Sequence, residues 1–197
     1  MSRLAAALTL LAPTWAMAAP IAPAGSDPSG AGPQSLALYA SAGTPAAAVG
    51  ADARLGATVL GLELGGVLPG ALRPEIHVRW PLRAGPALFA PRLAVAYSWA
   101  LSADFAGLPS DSALELAPGL VASWQAERWA VFLDGGELGL TNLRRKQQTR
   151  LFATVACGVR LALSARVSLA THVGALLGKV EWAPAAGLTV AWEPGGQ

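Results

Sequence analysis

The sequence predicts an all-β protein, an antiparallel up-and-down β-barrel that spans a membrane with strands. Three observations predict it. First, bulk alternates at every second position. Leu93, Val95, Tyr97, Trp99 and Leu101 alternate with Arg92, Ala94, Ala96, Ser98 and Ala100, and Leu151, Val155, Val159, Leu161 and Leu163 share one parity while Thr154, Gly158 and Arg160 share the other. Successive side chains of a strand point to opposite faces, so each stretch carries one large apolar face. Second, the opposite face is mostly Ala and Gly with an occasional Arg, Glu or His, not the charged face of a soluble strand. Third, 53% of the 197 residues are hydrophobic and only 13% are charged, about half the usual charged share. An apolar exterior around a finely packed interior suits a lipid bilayer. Beyond the N-terminus no run of about 18 apolar residues is present, so a closed barrel is the way left to satisfy the backbone hydrogen bonds there.

The elements follow in order. Residues 1–18 read as a secretory signal: Arg3 gives the positive start, Leu4–Leu11 the apolar core, and Ala16-Met17-Ala18 the small-residue cleavage pattern before Ala19. No Cys follows the cleavage region, so a lipid anchor is not indicated. Residues 19–53 read as a lead-in rich in Pro, Gly and Ala, flexible over its first part. Within it, 36–42 (LALYASA) alternate as a strand or structured entry, and 43–53 read as loop. The barrel is expected over 54–193, with 194–197 as a tail.

Eight segments of strand length fall in that stretch: Arg54–Gly65, Ala71–Leu82, Leu88–Leu101, Ser112–Gln125, Arg128–Leu138, Gln148–Leu163, Arg166–Gly178 and Trp182–Glu193. They suit the ~9–11 residues that cross a bilayer at a tilt, plus overhang. Arg83–Ala87, Ala126–Glu127 and Ser164–Ala165 are tight connections, whereas Ser102–Asp111 and Gly139–Gln147 are long and polar. Short periplasmic turns and longer outer loops give that alternation. Counting 36–42 and one further hidden segment gives ten strands in place of eight. The other alternative is a soluble exported β-sandwich or ligand-binding barrel, which needs its large residues inside and a charged coat outside.

The aromatic residues fall at the strand ends. Trp80, Trp124, Trp129 and Trp192 would share one rim, and Tyr97, Trp99 and Trp182 the other, as expected of rings that prefer the headgroup zone. Pro91 and Pro118 lie inside segments and require bends or bulges, because a barrel has no free edge.

The inward parity gathers Glu63, Glu75, His77, Arg79, Arg92, Glu115, Asp134, Arg160, His172 and Glu193. A small barrel is filled by its side chains, and isolated buried charges are costly, so these groups are expected to pair into an interior polar network. A proton or small-solute path is the sharper alternative. Cys157 is the only cysteine and shares the outward apolar parity, so it forms no intramolecular disulfide. There is no Gly-x-Ser-x-Gly elbow and no His-Glu-x-x-His motif, and two histidines without a Cys cluster do not suggest a metal site. No catalytic, cofactor-binding or metal-binding residue is therefore expected. A net charge of +2 with no basic stripe gives no reason to expect nucleic-acid binding. Arg144, Arg145 and Lys146 form the one dense basic cluster, in an expected outer loop. It could hold lipopolysaccharide phosphates through guanidinium hydrogen bonds, or simply keep a solvated loop from aggregating.

With its signal, alternating segments, aromatic rims and near-terminal Trp192, the chain resembles small bacterial outer-membrane β-barrel proteins over roughly residues 54–193. The resemblance implies an eight-stranded up-and-down barrel in a Gram-negative outer membrane, in a family whose members are structural, adhesive or, less often, enzymes. Barrel lipid-A deacylases carry His and Ser two residues apart on one strand; here Arg79 follows His77 and Gly174 follows His172 at that spacing. The resemblance further implies outer-membrane lipid, including lipopolysaccharide, and the barrel-assembly machinery as partners. That machinery reads a terminal aromatic, which Trp192 matches in type with five residues after it. No cofactor is implied, and the sequence sets no oligomeric state.

Overall fold

The computed structural model describes residues 30–44, 47–67, 71–100, 113–143, 148–178 and 182–194. The signal segment, the Arg144–Lys146 cluster and the last three residues lie outside the described residues. The described chain is strands: β1 (Leu36–Thr44), β2 (Ala47–Leu55), β3 (Thr58–Val67), β4 (Ala71–Arg79), β5 (Leu82–Ala84), β6 (Ala87–Ala100), β7 (Ala113–Gln125), β8 (Trp129–Leu143), β9 (Gln148–Ala162), β10 (Val167–Gly178) and β11 (Trp182–Trp192). Each pairs antiparallel with its sequence neighbour, apart from the step at β5, and β1 pairs with β11 while β4 pairs with β6. The sheet therefore closes through β4 and β6, and every strand but short β5 has two neighbours.

Short β5 is a continuation of β4. The register Arg79↔Arg92 between β4 and β6 resumes as Leu82↔Phe89 between β5 and β6, with a break at Trp80-Pro81 opposite Pro91. Two prolines without N–H groups meet at this break, and the Trp80 N–H donates to the Pro91 carbonyl at 3.0 Å. The wall thus has ten strands, one of them interrupted.

The count of eight is corrected to ten. Both missing strands lie in the stretch read as lead-in: β1 exceeds residues 36–42, and β2 occupies most of what reads as loop. Gly43, Pro45, Gly50 and several alanines lend that stretch little strand propensity; pairing of β2 with β1 and β3 on its two sides holds it extended. The long connection read at Gly139–Gln147 is likewise shortened, because β8 runs on to Leu143. A register shift between Gly135 and Glu137 on β8, matched by one between Leu116 and Val121 on β7, breaks the alternation there. Pro118 sits in that irregularity, as a proline inside a closed sheet requires.

The two faces of the wall are inverted relative to a soluble barrel. Leu62, Ile76, Val95, Leu133, Val173 and Val190 point outward and are exposed, whereas Ala94, Ala117, Ala156 and Ala170 are buried beside charged residues. Cys157 is exposed on the outer face. With ten strands, the chain enters and leaves at the same rim, called the terminal rim below. Four connections lie there, at 56–57, 85–86, 126–128 and 163–166, and those of the distal rim fall in 45–46, 68–70, 101–112, 144–147 and 179–181. Trp80, Trp124, Trp129 and Trp192 stand exposed around the terminal rim, and Tyr97 and Trp99 toward the distal one. Trp182 begins β11 at the distal end; its side chain lies outside the described residues.

Residues 30–33, read from sequence as part of the flexible lead-in, are packed. Gly30 and Pro33 are buried, Ala31 packs against Leu88, Ala90, Val121 and Phe132, and the Arg54 guanidinium donates to the carbonyls of Ala31 and Pro33. Gly30 and Gly32 have φ of 77° and 69°, a backbone conformation open to glycine at little cost.

Candidate functional site in the barrel interior

β4 organises the interior. Arg73, Glu75, His77 and Arg79 are alternate residues, so all four side chains project to the same, inner face. Their neighbours leave room for them: β3 sets Gly65 opposite Arg73 and Gly61 opposite His77, while β6 sets Ala94 opposite His77 and Ala96 opposite Glu75. Long polar side chains can then cross one strand and reach the next.

They form a ladder of ion pairs. Arg73 donates from Nε to Glu115 Oε2 at 2.8 Å and from Nη1 to Glu75 Oε2 at 2.6 Å. His77 lies between two carboxylates, with Nδ1 3.1 Å from Glu75 Oε1 and Nε2 3.0 Å from Asp52 Oδ1. Arg79 pairs with the other oxygen of Asp52, and Arg92 with Glu75. Ser98 donates to Glu115 at 2.7 Å, and Tyr39 to Glu63 at 3.4 Å. Asp134 is buried on the inner face of β8. The register sets like charges directly opposite one another, Glu63 against Glu75 and Arg79 against Arg92. Such pairs destabilise a sheet on their own; here each member turns aside to an opposite charge or a hydroxyl.

The structure brings together Glu63, Glu75, His77, Arg79, Arg92, Glu115 and Asp134 in this buried half. His172 is buried on the other side of the barrel, on β10. Arg160 and Glu193 stand apart at the terminal rim, 4.0 Å from each other with side chains about one-fifth exposed. Sequence reasoning missed Asp52, Arg73 and Tyr39. Arg73 shares the parity of Glu75, His77 and Arg79, so its signal was present; Asp52 was hidden because its strand read as loop.

A second pattern accompanies the ladder. Among the described side chains, each inward ring faces a glycine across the ladder: Tyr39 faces Gly50, His77 faces Gly61, Phe132 faces Gly158, and His172 faces both Gly158 and Gly187. A Cβ on Gly50 would meet the Tyr39 ring at 2.4 Å, one on Gly158 would meet Phe132 at 2.5 Å, and one on Gly187 would meet His172 at 2.5 Å. The rings lie flat along the wall because the glycines have no side chain to lift them off.

The chemistry open to these groups is narrow. Both nitrogens of His77 face carboxylate oxygens, an arrangement fully satisfied when both carry hydrogen, and neither is left to activate a hydroxyl or thiol. Among the described residues no group of three His, Cys, Asp or Glu side chains is placed to hold a metal ion.

No protein-family model matches the sequence, and no curated protein matches it. Solved structures do. A bacterial polysaccharide outer membrane secretin matches over 78% of this chain and 57% of its own, at 10% identity and a TM-score of 0.51. OmpT, an outer membrane protein of Vibrio cholerae, matches over 75% of this chain and 55% of its own, at 11% identity and a TM-score of 0.40. Outer membrane phospholipase A from Escherichia coli matches over 82% of this chain and 94% of its own, at 10% identity and a TM-score of 0.36. This chain spans little more than half the length of the first two. The fold is that of outer-membrane β-barrels.

Proposed function

We propose that this chain is a bilayer-spanning barrel of the bacterial outer membrane with a structural or surface-interaction role and no catalytic activity. The observation that carries the reading is the inverted wall: large apolar side chains cover the outside while carboxylates, guanidiniums and His77 are buried inside. In water that exterior would favour aggregation, whereas in hydrocarbon it is the favourable surface, and a closed sheet meets the need to pair backbone groups within the protein. The terminal rim faces the periplasm, its four tryptophans at the headgroups. The distal rim faces outward and carries Arg144, Arg145 and Lys146 against lipopolysaccharide phosphates. The lack of a catalytic role is supported by His77, whose two ring nitrogens are both occupied by carboxylates.

Electrophoresis with and without boiling after detergent extraction tests the fold in membranes. A closed barrel is expected to shift in mobility on heating and to fractionate with outer membranes. Recovery in the aqueous fraction with no shift would favour the soluble exported barrel instead. A substitution gives a second measure. Val173 is 60% exposed near the middle of β10, so Val173→Arg is expected to destabilise the barrel folded into vesicles by roughly 2–4 kcal/mol. In a soluble barrel the same change would be close to neutral.

A further inference from the structure

The ladder occupies one half of the interior. Its members come from β2, β3, β4, β6, β7 and β8, and they pair among themselves. The opposite wall, made by β9, β10, β11 and β1, is lined mostly by alanines and glycines, with Ser41, Thr154, His172 and Thr189 among them, Tyr39 at its edge toward the ladder and Arg160 at its terminal end. Eight strands enclose about as much space as side chains fill; ten strands enclose more, and this wall presents the smallest side chains. Two buried polar atoms on it, His172 Nδ1 and Thr189 Oγ1, have no hydrogen-bond partner among the described residues, in residues only 5% and 2% exposed. Buried polar groups are almost always satisfied, by water where protein does not reach them.

At the terminal mouth lies the segment Gly30–Ser35. Gly30 packs against Leu88, Ala90 and Val121 of β6 and β7. Four residues later the Gln34 N–H donates to Glu193, just beyond the end of β11, at 3.1 Å. β6 and β7 lie half-way round the ten-stranded wall from β1 and β11, so the segment crosses the mouth from one side to the other. Arg54 holds it midway: its side chain donates to two carbonyls of the segment, and its own N–H donates to the Ser35 carbonyl at 2.7 Å.

We propose that the lumen beneath β9, β10, β11 and β1 is a hydrated path for small cations, closed at the terminal mouth by Gly30–Ser35. The proposal rests on the bilayer-spanning reading above. Cations are favoured over anions because the ladder that forms the other side of this lumen holds, among the described residues, five buried carboxylates (Asp52, Glu63, Glu75, Glu115 and Asp134) against three buried guanidiniums and His77. An excess of carboxylates beside a path favours cations. The segment meets the barrel through hydrogen bonds to Arg54 and Glu193 and through apolar contacts of Gly30, Ala31 and Gly32, none of them with a member of the ladder, so it can leave while the ladder stays intact.

The test compares the full-length protein with a variant lacking residues 19–33 in planar bilayers under a potassium chloride gradient. The full-length barrel is expected to be nearly silent. The shortened one is expected to show roughly tenfold more conducting events, with a reversal potential displaced toward that of potassium. Arg54→Ala, which only loosens the latch, is expected to give brief openings of the same selectivity. A third measurement leaves the segment in place: Thr189→Cys in a Cys157→Ser background is expected to react with a small cationic thiol reagent in the folded protein. Absence of the heat-dependent shift or of bilayer insertion counts against the bilayer-spanning reading. If both channel variants insert and shift yet stay silent, or the full-length protein conducts as freely as the shortened one, the closure is overturned. An unreactive Cys at position 189 in folded protein overturns the hydrated path.

Discussion

Gly61→Ala is expected to cost about 3 kcal/mol or more of folding stability, among the largest losses from a single added methyl group anywhere in this barrel. The Cβ would lie 2.0 Å from His77 Nε2 and 2.3 Å from Asp52 Oδ1. Neither atom can step aside cheaply, because the imidazole is held between Asp52 and Glu75 and the Asp52 carboxylate also receives Arg79. Accommodating the methyl group means separating His77 from Asp52, which leaves buried polar groups unmatched. Gly187→Ala supplies the contrast. There the Cβ meets the His172 ring at 2.5 Å and then nothing nearer than the Ala42 carbonyl at 3.4 Å. No described group holds His172 Nδ1, so the ring can turn away at a cost of about 1 kcal/mol. Urea titration of the protein folded into vesicles measures both. Adding His172→Ala should recover most of the Gly187→Ala loss, whereas adding His77→Ala should not rescue Gly61→Ala, since Asp52 still stands in the way. Equal losses at the two glycines would show that the ladder does not hold the His77 ring.

Glu75→Ala is expected to have a comparable or larger effect, about 3–5 kcal/mol. Glu75 is the junction of the ladder: Arg73 and Arg92 both donate to it, and His77 faces it. Removing the carboxylate leaves two buried guanidiniums short of a partner, and breaking a buried pair from one side costs far more than the pair contributes when intact. Arg160→Ala, which breaks a 4.0 Å pair between partly exposed side chains, should cost less than about 1 kcal/mol. The same titration separates them. Similar small losses at both positions would mean that water reaches the ladder freely and screens it.

Much of this architecture was legible in the chain, and the exceptions have particular causes. Leu93 to Trp99 and the β9 residues alternate cleanly because their strands are regular and one face is uniformly bulky. β2 was invisible because Gly50 and its alanines have no bulk to alternate; Gly50 is there to receive the Tyr39 ring, a fact about a neighbouring strand. The end of β8 was misread because the bulge at Gly135–Glu137 shifts its parity by one. The inward charges could be listed from parity, but which of them touch could not. Asp52 meets His77 two strands away, through the gap at Gly61, and no local pattern records that distance.

The character of the two faces follows from the chain alone, because alternation and composition are local properties that a strand converts directly into sides. The antiparallel closed-barrel class follows for the same reason: an apolar exterior requires every backbone hydrogen bond to be made within the sheet. The number of strands, the order of the ionic ladder and the place of Gly30–Ser35 in the mouth were set by long-range packing. Those depend on closure, which fixes the register of each strand against two others and brings β1 beside β11 across the full length of the chain.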